Sequence, residues 1–244
     1  KQVKGLMKMY KTDTNAKPKL SHEVKTSKKN KKFNISTYHN IKINFFGIPK
    51  CGNSTIKYSL LKADNPDKDV KAIHDPQNST YITKEEVLNS SYASFAILRN
   101  PYKRALSLYK HFVLNEKSNK GFGNEELAAI MAENPKMPLN DFIALICRYK
   151  DEDINVHFRS QHYFLTHDVF SFGPIKIKKT LPQKMFKLEN LKDTISIAGK
   201  TIDLINKNES KVGKKLTIDD LSDEAKKHLD RRYRKDFTLW GKAA

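Results

Sequence analysis

The sequence predicts an α/β fold, a parallel sheet flanked by helices on both faces, and two observations predict it. Short apolar runs suited to buried strands, IKINFFG (41–47), SFAIL (94–98) and KMFKLE (184–189), alternate with stretches of helical periodicity. The chain has 244 residues, 38% of them hydrophobic, with 13 Phe and 10 Tyr, enough to cover both faces of such a sheet. In sheets of this kind a ligand sits at the carboxyl ends of the strands. The junctions after the strands are therefore where function is sought.

Each element follows in order. Residues 1–32 carry 11 Lys against Asp13 and Glu23, a net of +9, and read as a basic N-terminal arm. The remainder, 33–244, reads as a single domain and keeps +10 of the total +19 (19 − 9). The strand at 41–47 runs into a loop at 48–53, and Ser54 starts a helix to about Leu61. Thr83 and Glu86 have capping-box spacing and open a short helix. After the strand at 94–98, Pro101 stands at a helix N1 position. Ala105, Leu108, Tyr109 and Phe112 continue that helix as an apolar stripe. Further helices fit 124–133 and 140–150. Beyond the strand at 184–189, Asn190 is expected to cap a helix that Gly199 ends. Ser222 caps a last amphipathic helix to about Lys235.

The charge of +19 points to an anionic partner: nucleic acid, acidic glycan, anionic lipid or a phosphorylated ligand. The arginines narrow this, because only 7 of the 46 basic residues are Arg. Arg99 and Arg104 form one group, and Arg231, Arg232 and Arg234 another, in a chain that otherwise uses lysine. The two cysteines, Cys51 and Cys147, form no C-x-x-C and no metal-ligand spacing, so a reducing compartment, the cytoplasm, is expected. A Golgi lumen location would need an anchor upstream of Lys1. No apolar run approaches the roughly 18 to 20 residues that span a bilayer.

Two strand-to-helix junctions carry the chemistry. The first, Pro49-Lys50-Cys51-Gly52-Asn53-Ser54-Thr55, is P-loop-like. The triphosphate loop is G-x-x-x-x-G-K-[ST], and Gly47, Gly52 and Ser54 fit that frame. Asn53 fills the lysine slot, however, and a lysine stands inside the loop at Lys50. Backbone N–H groups at a helix start, with a lysine and hydroxyls, make an anion cradle. The second junction is LRNPYKRALSLY (98–109), where Arg99 ends the strand and Ser107 lies about two turns into the helix. A guanidinium and a hydroxyl there could grip a second phosphate. Taken singly, a glycine turn or an Arg-Asn-Pro helix start is an ordinary structural element. In order, on strands that can lie about 4.8 Å apart, they describe a grip for one ligand with two separated phosphates.

These two junctions resemble the cofactor motifs of the sulfotransferases that use 3′-phosphoadenosine-5′-phosphosulfate (PAPS), closest to the branch that sulfates carbohydrates. INVHFRSQ (154–161) is similar to that branch's His-aromatic-x-x-Gln segment, KMFKLENL (184–191) to its strand ending in Glu-x-Leu, and YRKDFTLWG (233–241) to its closing Tyr-x-x-Asp-Phe. The resemblance covers about residues 41–241. It implies the sulfotransferase fold, with Lys50, Cys51, Gly52, Asn53, Ser54 and Thr55 holding the 5′-phosphosulfate and Lys50 near the bridging oxygen. Arg99 and Ser107 would hold the 3′-phosphate. PAPS is then the co-substrate, 3′-phosphoadenosine-5′-phosphate (PAP) the product, and a hydroxyl-bearing saccharide, possibly anionic, the acceptor. No nucleic-acid partner is implied.

Sulfuryl transfer, like phosphoryl transfer, has a loose in-line transition state that needs positioning and charge stabilisation. It needs a base for the acceptor hydroxyl and a cation for the leaving phosphate. Lysine supplies that cation without a metal, and no carboxylate cluster has the look of a magnesium site. His74, between the two phosphate motifs, and His157, in the carbohydrate-branch segment, are the candidate bases. Glu189 is expected to support fold or substrate. Two other functions keep a claim on these features: a kinase or NTPase, which would bind ATP with magnesium, and a non-catalytic binder of nucleic acid or acidic glycan.

Overall fold

The computed structural model describes residues 35–68, 80–115, 121–172, 175–205 and 215–244. All lie in the larger of two units into which the chain divides, Lys32–Ala244. The basic arm and His74 lie outside the described residues.

Among the described residues the strands are β1 (Ile35–Tyr38), β2 (Ile43–Phe46), β3 (Thr80–Ile82), β4 (Ala93–Leu98), β5 (Thr166–Phe172), β6 (Ile175–Thr180), β7 (Lys184–Lys187), β8 (Thr194–Ile197) and β9 (Lys200–Asp203). The helices are α1 (Asn53–Asp64), α2 (Lys84–Leu88), α3 (Pro101–Tyr109), α4 (Glu125–Glu133), α5 (Leu139–Ile146), α6 (Gln161–Leu165), α7 (Asp223–Arg232) and α8 (Arg234–Lys242).

The central sheet runs β3-β1-β2-β4-β7. Its working half is parallel: Phe45 stands opposite Phe95, and Phe95 opposite Lys184. The three strands read from the sequence are therefore neighbours. Two short strands extend the sheet beyond that reading, with β1 antiparallel to both β2 and β3. At three and four residues they are too short for a period-2 pattern to stand out.

Alternation along β2 and β4 divides two apolar layers. Ile43, Phe45, Phe95 and Ile97 pack with Ile56, Leu60 and Leu61 of α1 and with Ile195, Ile197 and Ile202 of the β8–β9 hairpin. Phe46, Ala96 and Leu98 point the other way, against Val87 of α2, Phe164 and Leu165 of α6, and Leu239 and Trp240 of α8. Helices thus flank both faces. A third cluster joins α3, α4, α5 and α7 through Leu108, Leu127, Phe142, Ile146 and Leu229.

The helix expected between Asn190 and Gly199 is instead the β8–β9 hairpin. Ala198 (φ 50°) and Gly199 (φ 76°) both occupy the left-handed region, as a two-residue hairpin turn demands. The strands bury Ile195, Ile197 and Ile202 on one side and expose Thr194, Ser196 and Thr201 on the other, a period of two. The glycine marks a hairpin rather than a helix end. The last helix is also two helices, because Tyr233 leaves helical geometry at φ −111°, ψ 24°. Helix α5 stops at Ile146, short of the expected 150.

Candidate active site

The loop between β2 and α1 is held open by backbone geometry. Cys51 N donates to Ile48 O at 3.2 Å. Lys50 (φ 68°) and Gly52 (φ 73°) both take left-handed conformations. At Gly52 a Cβ would meet Leu188 Cδ1 at 2.8 Å, so glycine allows the loop to pass the end of β7. Lys50 has no such excuse, and a non-glycine residue persists there only when its surroundings hold it. Two arginines do so. Arg104 Nε donates to Pro49 O and Arg99 NH1 to Lys50 O, each at 3.1 Å.

Helix α1 then begins without a side-chain cap. Thr83, Asn100, Asn124, Ser160 and Ser222 cap α2, α3, α4, α6 and α7, whereas α5 and α8, like α1, begin without such a cap. The first N–H groups of a helix have no intrahelical acceptor. At α1 they belong to Asn53, Ser54 and Thr55, all partly exposed, with a helix dipole behind them that favours an anion. The Asn53 Oδ1 is buried with no hydrogen-bond partner. The start of α1 thus presents backbone N–H groups and the positive end of the helix dipole beside the loop.

The second junction is fixed beside it by Gln161, which is fully buried. Its Oε1 accepts from Cys51 Sγ at 3.2 Å and from Arg99 N at 2.9 Å, and its Nε2 donates to Arg99 O at 2.8 Å. One amide side chain thus joins the loop after β2 to the end of β4. Gln161 is itself held, because Asp236 accepts from the backbone N–H groups of Gln161 and His162, both at 2.8 Å. Burial pushes the Asp236 carboxyl up to about 6, partly offset by Arg104 and those two N–H donors. Glu189 completes the junction, accepting from Asn100 N at 3.0 Å and Trp240 Nε1 at 3.2 Å. It supports the fold.

Burial also sets the state of nearby groups. The Cys51 thiol is pushed up to about 11, so it stays protonated and acts as a donor to Gln161. Desolvation lowers Arg99 from its ordinary value, while Glu189 acts in the opposite direction. A bound anion would favour the charged guanidinium further.

His157 is brought to this region by the same arginine that braces the loop. Arg104 NH2 donates to His157 O at 2.9 Å while its Nε holds Pro49 O. The Asn155 amide sets the ring's protonation. Its Nδ2 donates to Gly121 O at 2.6 Å, so its Oδ1 is the acceptor for His157 N at 3.0 Å and for Nδ1 at 2.7 Å. In the neutral ring the proton then sits on Nδ1 and the base lone pair on Nε2. The His157 ring packs 5.7 Å from His111 and from Phe112, both in a π-helical turn (Lys110–Leu114) that extends α3. Such turns often mark functional sites.

The structure therefore brings Lys50 to Thr55 and Arg99 together at adjacent strand ends, with the His157 backbone tied to the same loop through Arg104. Ser107 is half-buried on α3, eight residues past Arg99. His74 lies outside the described residues. Sequence reasoning gave no role to Arg104, Gln161 or Asp236, although the last two stand in the supporting motifs. Their signal was present as spacing, but which polar atoms they satisfy appears only when distant segments meet.

Among the described residues no helix is long and apolar enough to cross a membrane. No group of three or more His, Cys, Asp or Glu among them could hold a metal ion. No curated protein and no solved structure matches the chain. A model of the sulfotransferase family matches residues 31–243. That span takes in both junctions, the Gln161 brace and the closing helix that carries Asp236, and the chain belongs to the sulfotransferase family.

Proposed function

We propose that the chain transfers a sulfuryl group from PAPS to a hydroxyl, on a saccharide, with residues 33–244 as the transferase domain and 1–32 as a basic arm. The observation that carries the reading is the pairing of the two phosphate motifs: Arg99 NH1 reaches the Lys50 carbonyl at 3.1 Å, on adjacent parallel strands. A donor with phosphates at two separated positions suits two grips held at a set spacing. The uncapped start of α1 fits a 5′-phosphosulfate, and the remaining Arg99 donors with Ser107 fit a 3′-phosphate.

When bound, PAPS supplies the sulfuryl group and a phosphate leaving group. Lys50 brings positive charge to the 5′-phosphate oxygen that gains negative charge. The N–H groups of Asn53, Ser54 and Thr55 orient the same phosphate, with Cys51 and Gly52 shaping the turn. A histidine accepts the proton of the acceptor hydroxyl. His157 Nε2 is in the correct tautomer for this, and His74 is the second candidate. No metal is needed in this scheme, since Lys50 provides the charge. The two free cysteines accord with a cytoplasmic location.

The test is direct: labelled PAPS is offered with a panel of neutral and acidic saccharides, without added metal. Label transferred to a saccharide supports the reading. Labelled PAPS that transfers to no hydroxyl compound, while magnesium-ATP is hydrolysed or used, overturns it.

A further inference from the structure

A cleft of about 630 Å³ lies between the start of α6 and the break that separates α7 from α8. It is of the size that takes a small-molecule ligand. Arg231, Arg232 and Arg234 all line it, three of the seven arginines in the chain, together with Lys235. The break at Tyr233 brings this about, because it aims the last turn of one helix and the first turn of the next at one space.

The charges divide into those that are used and those that are not. Arg232 pairs with Asp151 at 2.6 Å, and Asp236 is occupied by two backbone N–H groups. Lys84, on the cleft wall, donates to Tyr163 O and Thr166 O. Glu152, on the same wall, is an exposed carboxylate that forms no ion pair among the described residues, and three cations outnumber it: Arg231, which reaches His228, and Arg234 and Lys235, which form no ion pair there. All three are exposed. Arg234 and Lys235 also stand in the first turn of α8, where cations oppose the helix dipole. A merely solvated helix face gains nothing from that placement. An anion in the cleft would turn the cost into a gain, and arginine's planar fork suits a tetrahedral oxyanion.

The cleft is distinct from the cofactor grip. Gln161 divides them: its side chain faces Cys51 and Arg99, while its backbone N–H faces Asp236, on the cleft wall. We propose that the cleft is a second oxyanion site, which takes a sulfate or phosphate group either free or carried on a larger polar molecule. The claim goes beyond the transfer reaction and does not require it.

The experiment titrates the full chain with inorganic sulfate, and separately with a sulfated disaccharide, at ionic strength held constant with sodium chloride. Three proteins are compared by calorimetry: the wild type, Arg234→Ala/Lys235→Ala, and Arg99→Lys. PAP affinity is measured on each. Binding of either probe should fall about tenfold or more in the double variant, the size of a lost charge-assisted contact. It should persist in Arg99→Lys, and PAP affinity should be unchanged in the double variant. Binding of inorganic sulfate identifies a free anion as sufficient, and binding of the disaccharide alone identifies a carried group. Arg231→Gln, at the exposed end of α7, provides an independent check should the double variant misfold. Unchanged probe binding in the cleft variants, loss only in Arg99→Lys, or no binding of either probe to the wild type overturns the proposal.

Discussion

Gln161 and Arg99 exchange two hydrogen bonds, Arg99 N to Oε1 at 2.9 Å and Nε2 to Arg99 O at 2.8 Å. The same Oε1 also receives the Cys51 thiol, so one buried amide ties together the two strand-to-helix junctions that Arg99 NH1 also bridges at the Lys50 carbonyl. Gln161→Leu removes that amide at similar volume and leaves the partly buried Arg99 N and Arg99 O without it. Each lost partner costs about 1–3 kcal/mol, so urea unfolding should show a loss of roughly 2–6 kcal/mol. PAP binding should weaken alongside. Wild-type stability and affinity in this variant would show that the spacing is set elsewhere.

Arg99 has two tasks in this account, since it braces the Lys50 carbonyl and offers its other donors to the 3′-phosphate. Arg99→Lys should therefore weaken PAP by about tenfold to a hundredfold, the value of one charged hydrogen bond. Adenosine 5′-phosphosulfate, which lacks the 3′-phosphate, should lose less, through the loop alone. Equal losses for the two ligands would remove Arg99 from the 3′-phosphate.

The three working strands, the cap residues Thr83 and Ser222, the Pro101 helix start and the two strand-to-helix loops are all legible in the sequence, because each is a local signal. A strand run, a capping side chain and a glycine turn act within a few residues. The β8–β9 hairpin was not legible as such, since Ala198-Gly199 ends a helix as readily as it turns a hairpin. Only burial of Ile195, Ile197 and Ile202 against α1 decides between them. The brace around Gln161 is non-local in the same way. Its partners Cys51, Arg99 and Asp236 are 110, 62 and 75 residues away.

Asp236 gives the brace a pH signature. Its carboxyl is raised from 3.8 to about 6, so between those values the folded protein holds a proton that the unfolded chain has released. Its contribution therefore stabilises the fold as pH falls through about 6 toward 3.8, by up to roughly 3 kcal/mol, and is lost as pH rises through about 6. Asp236→Asn should flatten that part of the stability profile, read from urea unfolding at closely spaced pH values. A profile of the same slope in the variant, or one steepened by it, contradicts the raised value.

The histidines separate binding from chemistry. Replacing the base should leave PAP affinity nearly unchanged and cut turnover by about 10² to 10⁴. The tautomer fixed by Asn155 favours His157, so His157→Ala is expected to show that split and His74→Ala to keep activity. The reverse result moves the base to His74. Full activity in both variants removes histidine from the role.

The central claim is that adjacent strand ends grip one nucleotide at two phosphates, and heat stability in the presence of nucleotide tests it most directly. PAP at about 100 times its dissociation constant should add roughly 2.7 kcal/mol and raise the melting temperature without added metal. ATP with magnesium should do much less, because Asn53 stands where a triphosphate loop needs its lysine. A shift with magnesium-ATP equal to or larger than that with PAP would contradict the account.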